Sequence, residues 1–102
     1  DGVSQNNDIW LWSSVDRLLR ALEVKQFLVK TFVAYPPVFG SWHVDVAWTA
    51  GTYRVVADGK DRCIIVQSLS ALDEWSDIRM LAPDSDGSWI DETIKTLRLR
   101  EA

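Results

Sequence analysis

The single histidine and the single cysteine of this sequence, His43 and Cys63, are the side chains best suited to chemistry near neutral pH. Asp45 stands two residues after His43, and Asp58 follows in the next predicted strand. A histidine oriented by a carboxylate is the arrangement of a general base, and Cys63 with His43 would resemble a nucleophile and its base. The same residue types also form ordinary cross-strand pairs on protein surfaces, so the chemistry depends on the strands that carry them.

Three segments in the middle of the chain predict β-strands. Residues 41–49 alternate apolar and polar side chains with a period of two, and residues 52–58 and 62–68 follow after turns at Ala50-Gly51 and at 58–61. With Ala50-Gly51 as a two-residue loop, this register places His43 opposite Asp58 and Asp45 diagonal to Arg54.

One face of this predicted meander is uniformly apolar and requires a cover, whereas the other face is mixed. The mixed face fits a protein interface, the lining of a small-molecule pocket, a general base at His43, or simple surface pairs. Cys63 shares the mixed face but lies two strands from His43, beyond hydrogen-bond reach, so the thiol is expected to be inert and no catalytic residue is assigned. The predicted binding residues are His43, Asp45, Arg54, Val56, Asp58, Ile65 and Gln67.

An apolar stripe with helical spacing runs through residues 9–34 and predicts one long amphipathic helix that covers the apolar sheet face. The Pro36-Pro37 pair ends it. The alternative is a helix that ends at Glu23, followed by a strand over residues 27–35.

The C-terminal third carries weaker patterns. Ser70 with Asp73, and Ser88 with Asp91, have the spacing of helix N-terminal capping boxes, and apolar residues follow each pair at helical intervals. Residues 77–81 and the final segment also fit extended structure. The sequence therefore predicts an α+β fold with a long N-terminal helix packed on an antiparallel β-meander of three or more strands and short C-terminal helical elements. Residues 1–7 are expected to form a disordered arm, and residues 8–102 one domain.

Composition narrows the functions that this chain can serve. A net charge of −4 argues against a nucleic acid or an anionic membrane surface as the main partner. The acidic residues of the C-terminal third raise a sharper hypothesis, an acidic patch for a basic protein partner. One cysteine excludes an internal disulfide and favours the cytoplasm, and one histidine with one cysteine gives no zinc spacing.

No pattern in the sequence implies a cofactor or a metal. The sequence therefore predicts a non-enzymatic binding protein that forms a homodimer or binds another protein. The alternative is a small-molecule binder or simple enzyme that uses a pocket around His43.

Overall fold

The computed structural model of the chain describes residues 15–35, 41–48, 51–83 and 87–99. Helix α1 covers residues 15–24 and is followed by five antiparallel strands that pair in chain order, and then by a second helix. The fold is therefore α+β, with two helices and one five-stranded sheet. The elements after α1 are β1 (Leu28–Tyr35), β2 (Ser41–Trp48), β3 (Gly51–Asp58), β4 (Cys63–Leu69), β5 (Trp75–Leu81) and α2 (Ser88–Leu99).

The prediction of one long N-terminal helix is wrong, because α1 ends well before the prolines. Gln26 adopts a positive φ of 69°, and its N–H donates to the carbonyl of Glu23. The N–H of Phe27 donates to the carbonyl of Leu22, and both of these side chains are buried. These two bonds form a Schellman motif, which stops a helix and turns the chain away. The alternative of a shorter helix followed by a strand agrees with the structure.

Both edge strands carry a β-bulge. In β1 the register shifts at Lys30, so that Val29 pairs with Val46 while Thr31 pairs with Asp45. In β5 it shifts at Ile78, because Val66 pairs with Arg79 while Gln67 pairs with Asp77. Bulges twist an edge strand and make it a poor template for a further strand.

The register between β2 and β3 differs from the predicted one by two residues. Trp48 pairs with Gly51, and residues 49–50 lie outside the described residues. His43 consequently lies opposite Val56 rather than Asp58, and Asp45 lies directly opposite Arg54 rather than diagonal to it. Because the shift is even, every side chain keeps its predicted face.

At the C-terminal end, one of the two predicted helices is absent and the other is present. Ser70 does not begin a helix; its Oγ accepts the N–H groups of Leu72 and Glu74 inside a tight turn that leads into β5. Ser88 is the first residue of helix α2, and the apolar residues that follow it at helical intervals, such as Trp89, Ile94 and Leu97, are buried. The expected arm at residues 1–7 and the residues at 9–14 of the predicted helix lie outside the described residues.

Both helices pack on the same face of the sheet. The buried side chains of α1 and α2 form one cluster with those of β2, β3 and β4, and this cluster includes the predicted apolar face. The members of the cluster that are completely buried include Leu18, Leu22, Trp42, Val44, Val46, Val55, Ala57, Ile64, Val66 and Leu97. Among the described residues, neither helix has the length and apolar character of a membrane span.

Candidate functional site

The seven predicted binding residues all lie on the face of the sheet that points away from the helices. We call this surface the open face. Its side chains are half-buried or exposed, in contrast to the buried ones that alternate with them along β2, β3 and β4. Besides the seven, the strand registers place further side chains on it, among them Val33, Cys63, Leu69, Trp75, Asp77 and Met80.

A fixed row of three side chains crosses the middle of the open face. The Arg54 guanidinium donates to both carboxylate oxygens of Asp45, through Nε at 2.7 Å and through Nη2 at 3.1 Å. The same guanidinium lies over the ring of Trp75, with 4.1 Å from its carbon to the ring centroid. Asp45 is in β2, Arg54 in β3 and Trp75 in β5, so the row spans four adjacent strands. Paired on one side and stacked on the other, Arg54 is held in one conformation.

Apolar side chains lie in the half of the open face toward the β3–β4 turn. Val56 pairs with Ile65 across β3 and β4, and Ile65 pairs with Met80 of β5. Met80 keeps 64% of its surface exposed. Farther along β4, Gln67 donates from Nε2 to Asp77 Oδ1 at 2.8 Å. The open face therefore combines a group of apolar side chains with polar side chains that are fixed by their contacts.

His43 is less suited to general-base chemistry than the sequence indicated. Asp58 is not its cross-strand partner, and both carboxylate oxygens of Asp45 already accept hydrogen bonds from Arg54. Burial lowers the pKa of His43 and the charge of Arg54 lowers it further, against a smaller opposing effect of Asp45. The imidazole is consequently neutral at pH 7, and its two cross-strand partners, Val33 and Val56, are apolar.

This lowered pKa predicts a pH dependence of stability. The unfolded chain, with a histidine pKa near the ordinary 6.5, binds the proton more readily than the native state. The free energy of unfolding should therefore fall as the pH drops through this value toward the native pKa. We expect urea titrations between about pH 7.5 and about pH 5.5 to show this loss, and His43→Gln to reduce it.

Because His43 is the only histidine, the variant removes the one side chain that ordinarily titrates in this window. An identical pH profile in the wild type and the variant would contradict the expectation, as would a wild type that gains stability on acidification.

Cys63 lies on the open face beside Asp58, its cross-strand partner, and β3 separates it from the strand of His43. Burial raises the pKa of the Cys63 thiol, and the carboxylates of Asp58, Asp61 and Asp77 raise it further. A raised pKa keeps the sulfur protonated and weakly nucleophilic, as expected for an inert thiol.

Trp75 is the residue of the Asp45–Arg54–Trp75 row that sequence analysis missed. Its spacing to Ile78 had placed it on a helix, whereas it starts an edge strand and reaches Arg54 above β4. One signal was available in the sequence. Trp75 stands between Glu74 and Ser76-Asp77, and a large aromatic residue in a polar stretch is typical of a binding surface rather than of a core.

A cleft of about 360 Å³ lies elsewhere, between α1 and the start of α2, and Arg17, Ala21, Gly87 and Asp91 are among its lining residues. Within the described part of the chain, no three His, Cys, Asp or Glu side chains come together as metal ligands. The open face is therefore the candidate site that the described residues support best. Comparison of this chain with known protein families, with curated proteins and with solved structures gives no match.

Proposed function

We propose that this chain is a non-enzymatic binding protein that recognises another protein through the open face. The observation that carries the proposal is the Asp45–Arg54–Trp75 row, fixed in place beside the apolar side chains of Val56, Ile65 and Met80 on the face that the helices leave uncovered. Arginine and tryptophan dominate the energetics of protein interfaces. Side chains that are already ordered lose less conformational entropy when a partner docks, so binding is stronger for the same contacts.

The dimensions of the open face suit a protein partner. Five strands at a spacing of about 4.8 Å and roughly eight residues at about 3.3 Å each give a footprint on the order of 500 Å². Protruding side chains make the accessible area larger than this footprint. A typical stable interface buries roughly 800 Å² on each partner, so the open face can supply most of the area that one partner contributes.

The edges of the sheet suit a partner less well than its face. A peptide that adds to a sheet needs a straight edge with regularly spaced N–H and C=O groups. Bulges interrupt both β1 and β5, and Lys30 stands exposed at the bulge in β1. These features block edge-to-edge pairing and leave the face as the contact surface.

A pocket around His43, the basis of the enzyme alternative, has less support. The residue lies on an open strand surface between Val33 and Val56, and the cleft described above is on the helical side of the molecule. Small ligands prefer concave sites that bury most of their surface.

The proposal can be tested by comparing three immobilised baits in a lysate of the source organism. Ile65→Lys places a charge at the centre of the open face, whereas Val24→Lys makes the same kind of change at a helical residue that is 76% exposed. We expect the wild type and Val24→Lys to retain a common partner, and Ile65→Lys to lose it. Retention of the same proteins by all three baits would contradict the proposal, as would the absence of any specifically retained protein.

A further inference from the structure

The strand registers arrange the side chains of the open face in bands that cross all five strands. One band is apolar apart from a neutral imidazole, and we call it the apolar band: Val33, His43, Val56, Ile65 and Met80. The next band toward the C-terminal end of β2 is polar, and we call it the polar band: Thr31, Asp45, Arg54, Gln67 and Asp77. An occupant of the open face therefore has to match one apolar and one polar band that run side by side.

The centre of the polar band carries two opposite charges that are already paired. Arg54 donates two hydrogen bonds to Asp45, and these side chains keep only 25% and 17% of their surface exposed. Most of the cost of removing the two charges from water is therefore met within one copy of the chain. The pair can enter an interface without bringing a net charge into it.

We infer that the open face binds a second copy of this chain, related by a two-fold axis that runs parallel to the strands between β2 and β3. This inference rests on the proposed function and names the protein that is recognised. Two sheets that pack face to face keep their strand directions within about 30° of each other. The axis places β2 over the partner's β3, and β1 over the partner's β4. A two-fold axis also makes every contact occur twice.

Charge complementarity in the polar band supports this axis. Asp45 faces the partner's Arg54, and Arg54 faces the partner's Asp45, because the two residues are cross-strand partners on β2 and β3. Four charges of alternating sign then form a closed ring across the interface. Each carboxylate oxygen of Asp45 accepts one bond from its own Arg54, and such an oxygen has room for a second. Opposite charges that meet in this way fix the register of an interface.

The same axis brings the two apolar bands together. Val33 faces the partner's Ile65, and His43 faces the partner's Val56. Other two-fold axes match the bands less well. An axis that runs along β3, or along the polar band, places Arg54 on the partner's Arg54, and like charges so close together oppose association.

The contact area predicts a weak dimer. Four strands of each copy lie within the contact, because β5 extends beyond the partner's β1. Four strands at a spacing of about 4.8 Å and roughly eight residues at about 3.3 Å each cover on the order of 400 Å². This area is smaller than the roughly 800 Å² that each partner buries in a typical stable interface, so the dimer should form only at high protein concentration. Unfolding experiments on dilute protein then measure the single copy.

Two complementary variants test the arrangement, because Val33 and Ile65 face each other only between copies. Within one copy they lie on β1 and β4, three strand spacings or about 14 Å apart. Val33→Glu and Ile65→Lys should each raise the dissociation constant of the dimer about tenfold or more, since each places two charges against apolar side chains of the other copy. An equimolar mixture of the two variants should associate again, because the introduced carboxylate of one copy meets the introduced ammonium group of the other.

Sedimentation velocity measures this association when the Ile65→Lys variant alone carries a fluorophore on its N-terminal amine. Circular dichroism of each variant shows whether it is folded before mixing. We expect the labelled variant to sediment as a monomer by itself and as a dimer with Val33→Glu. Folded variants that stay apart in the mixture would overturn the inference.

Val24→Glu mixed with the labelled variant is the matched control. Val24 is a helical residue with 76% of its surface exposed, and its variant has the same net charge as Val33→Glu. The labelled variant should bind Val24→Glu about tenfold more weakly than it binds Val33→Glu. Equal binding in the two mixtures would show that net charge alone drives the association, and would overturn the inference.

The wild type distinguishes failure of this inference from failure of the proposed function. We expect a dimer to form as the concentration rises toward about 1 mM, and the chain itself to be the partner that the baits retain from the lysate. A wild type that stays monomeric would overturn the second copy. If a different protein is then retained by the wild type and lost by Ile65→Lys, the proposed function stands, whereas proteins shared by all three baits would overturn both. A dimer that persists in Val33→Glu and in Ile65→Lys uses another surface and would also overturn the inference.

Discussion

Replacing Trp42 by alanine should cost roughly 3–5 kcal/mol of unfolding free energy, the range for deleting a buried tryptophan side chain. Trp42 is fully buried, and its cross-strand neighbours, Ala34 in β1 and Ala57 in β3, leave room for the indole ring. The ring also packs near those of Phe32 and Trp89, at centroid distances of 6.2 and 6.5 Å. Since domains of this size are stable by about 5–15 kcal/mol, the loss would be a large fraction of the total.

Urea unfolding followed by circular dichroism measures this effect, and Trp75→Ala provides the matched control on the other side of the sheet. Trp75 is half-buried, and its loss removes chiefly the contact with Arg54, so we expect a cost of about 1 kcal/mol. With a urea m-value of about 1–3 kcal/mol/M, the two midpoints should differ by about 1 M or more. Equal midpoints for the two variants would show that the core is not centred on Trp42.

The sequence predicted the two edge strands only as alternatives to helices, and one physical reason accounts for both. The core-facing residues of β1 are Val29, Phe32 and Ala34, and because of the bulge at Lys30 the first two are three residues apart. A spacing of three is also the spacing of one helix face, so a bulged strand imitates a helix in the sequence.

The same imitation occurs in β5. Trp75 and Ile78 are three residues apart, a spacing that predicts a helix after Ser70, yet Trp75 is on the open face while Ile78 packs against the core. The pattern in the sequence lacks the information that distinguishes the two structures, because a bulge depends on the neighbouring strand.

The end of α1 was hidden for a different reason. A Schellman motif usually has glycine in its left-handed position, and this helix has Gln26 there. No glycine marks the end of the helix, so the apolar residues that follow extended the predicted stripe into β1. Tertiary packing of Phe27 against Leu22 and the rest of the core compensates the strained backbone.

The open face was predicted with greater success than the contacts within it. Unbroken alternation in β2, β3 and β4 assigned each of seven side chains to the correct face. The two-residue shift in register then changed their partners, which removed the His43–Asp58 pair and strengthened Asp45–Arg54. The position of the loop determines the register of two strands, whereas the alternation of apolar and polar residues determines only which face each side chain is on. The alternation therefore cannot predict the cross-strand partners.

Two neighbouring substitutions in β4 test whether the helices cover only one face of the sheet. We expect their effects on the free energy of unfolding to differ strongly. Val66→Lys places a charge where the side chain is fully buried against Val55 and the helices, and should cost more than about 4 kcal/mol or abolish folding. Ile65→Lys puts the same residue one position earlier, on the open face, where the ammonium group reaches water. Its cost should be within about 1 kcal/mol.

Both variants introduce lysine into one strand, so differences in strand propensity cancel and only the face differs. Thermal unfolding monitored by circular dichroism should show a cooperative transition for Ile65→Lys near that of the wild type, and a lost or much lower one for Val66→Lys. If Ile65→Lys unfolds the chain as well, the face opposite the helices is a second core rather than a surface, and the case for a partner there fails. A folded Ile65→Lys variant keeps that face open to water, which a docking surface requires before any partner arrives.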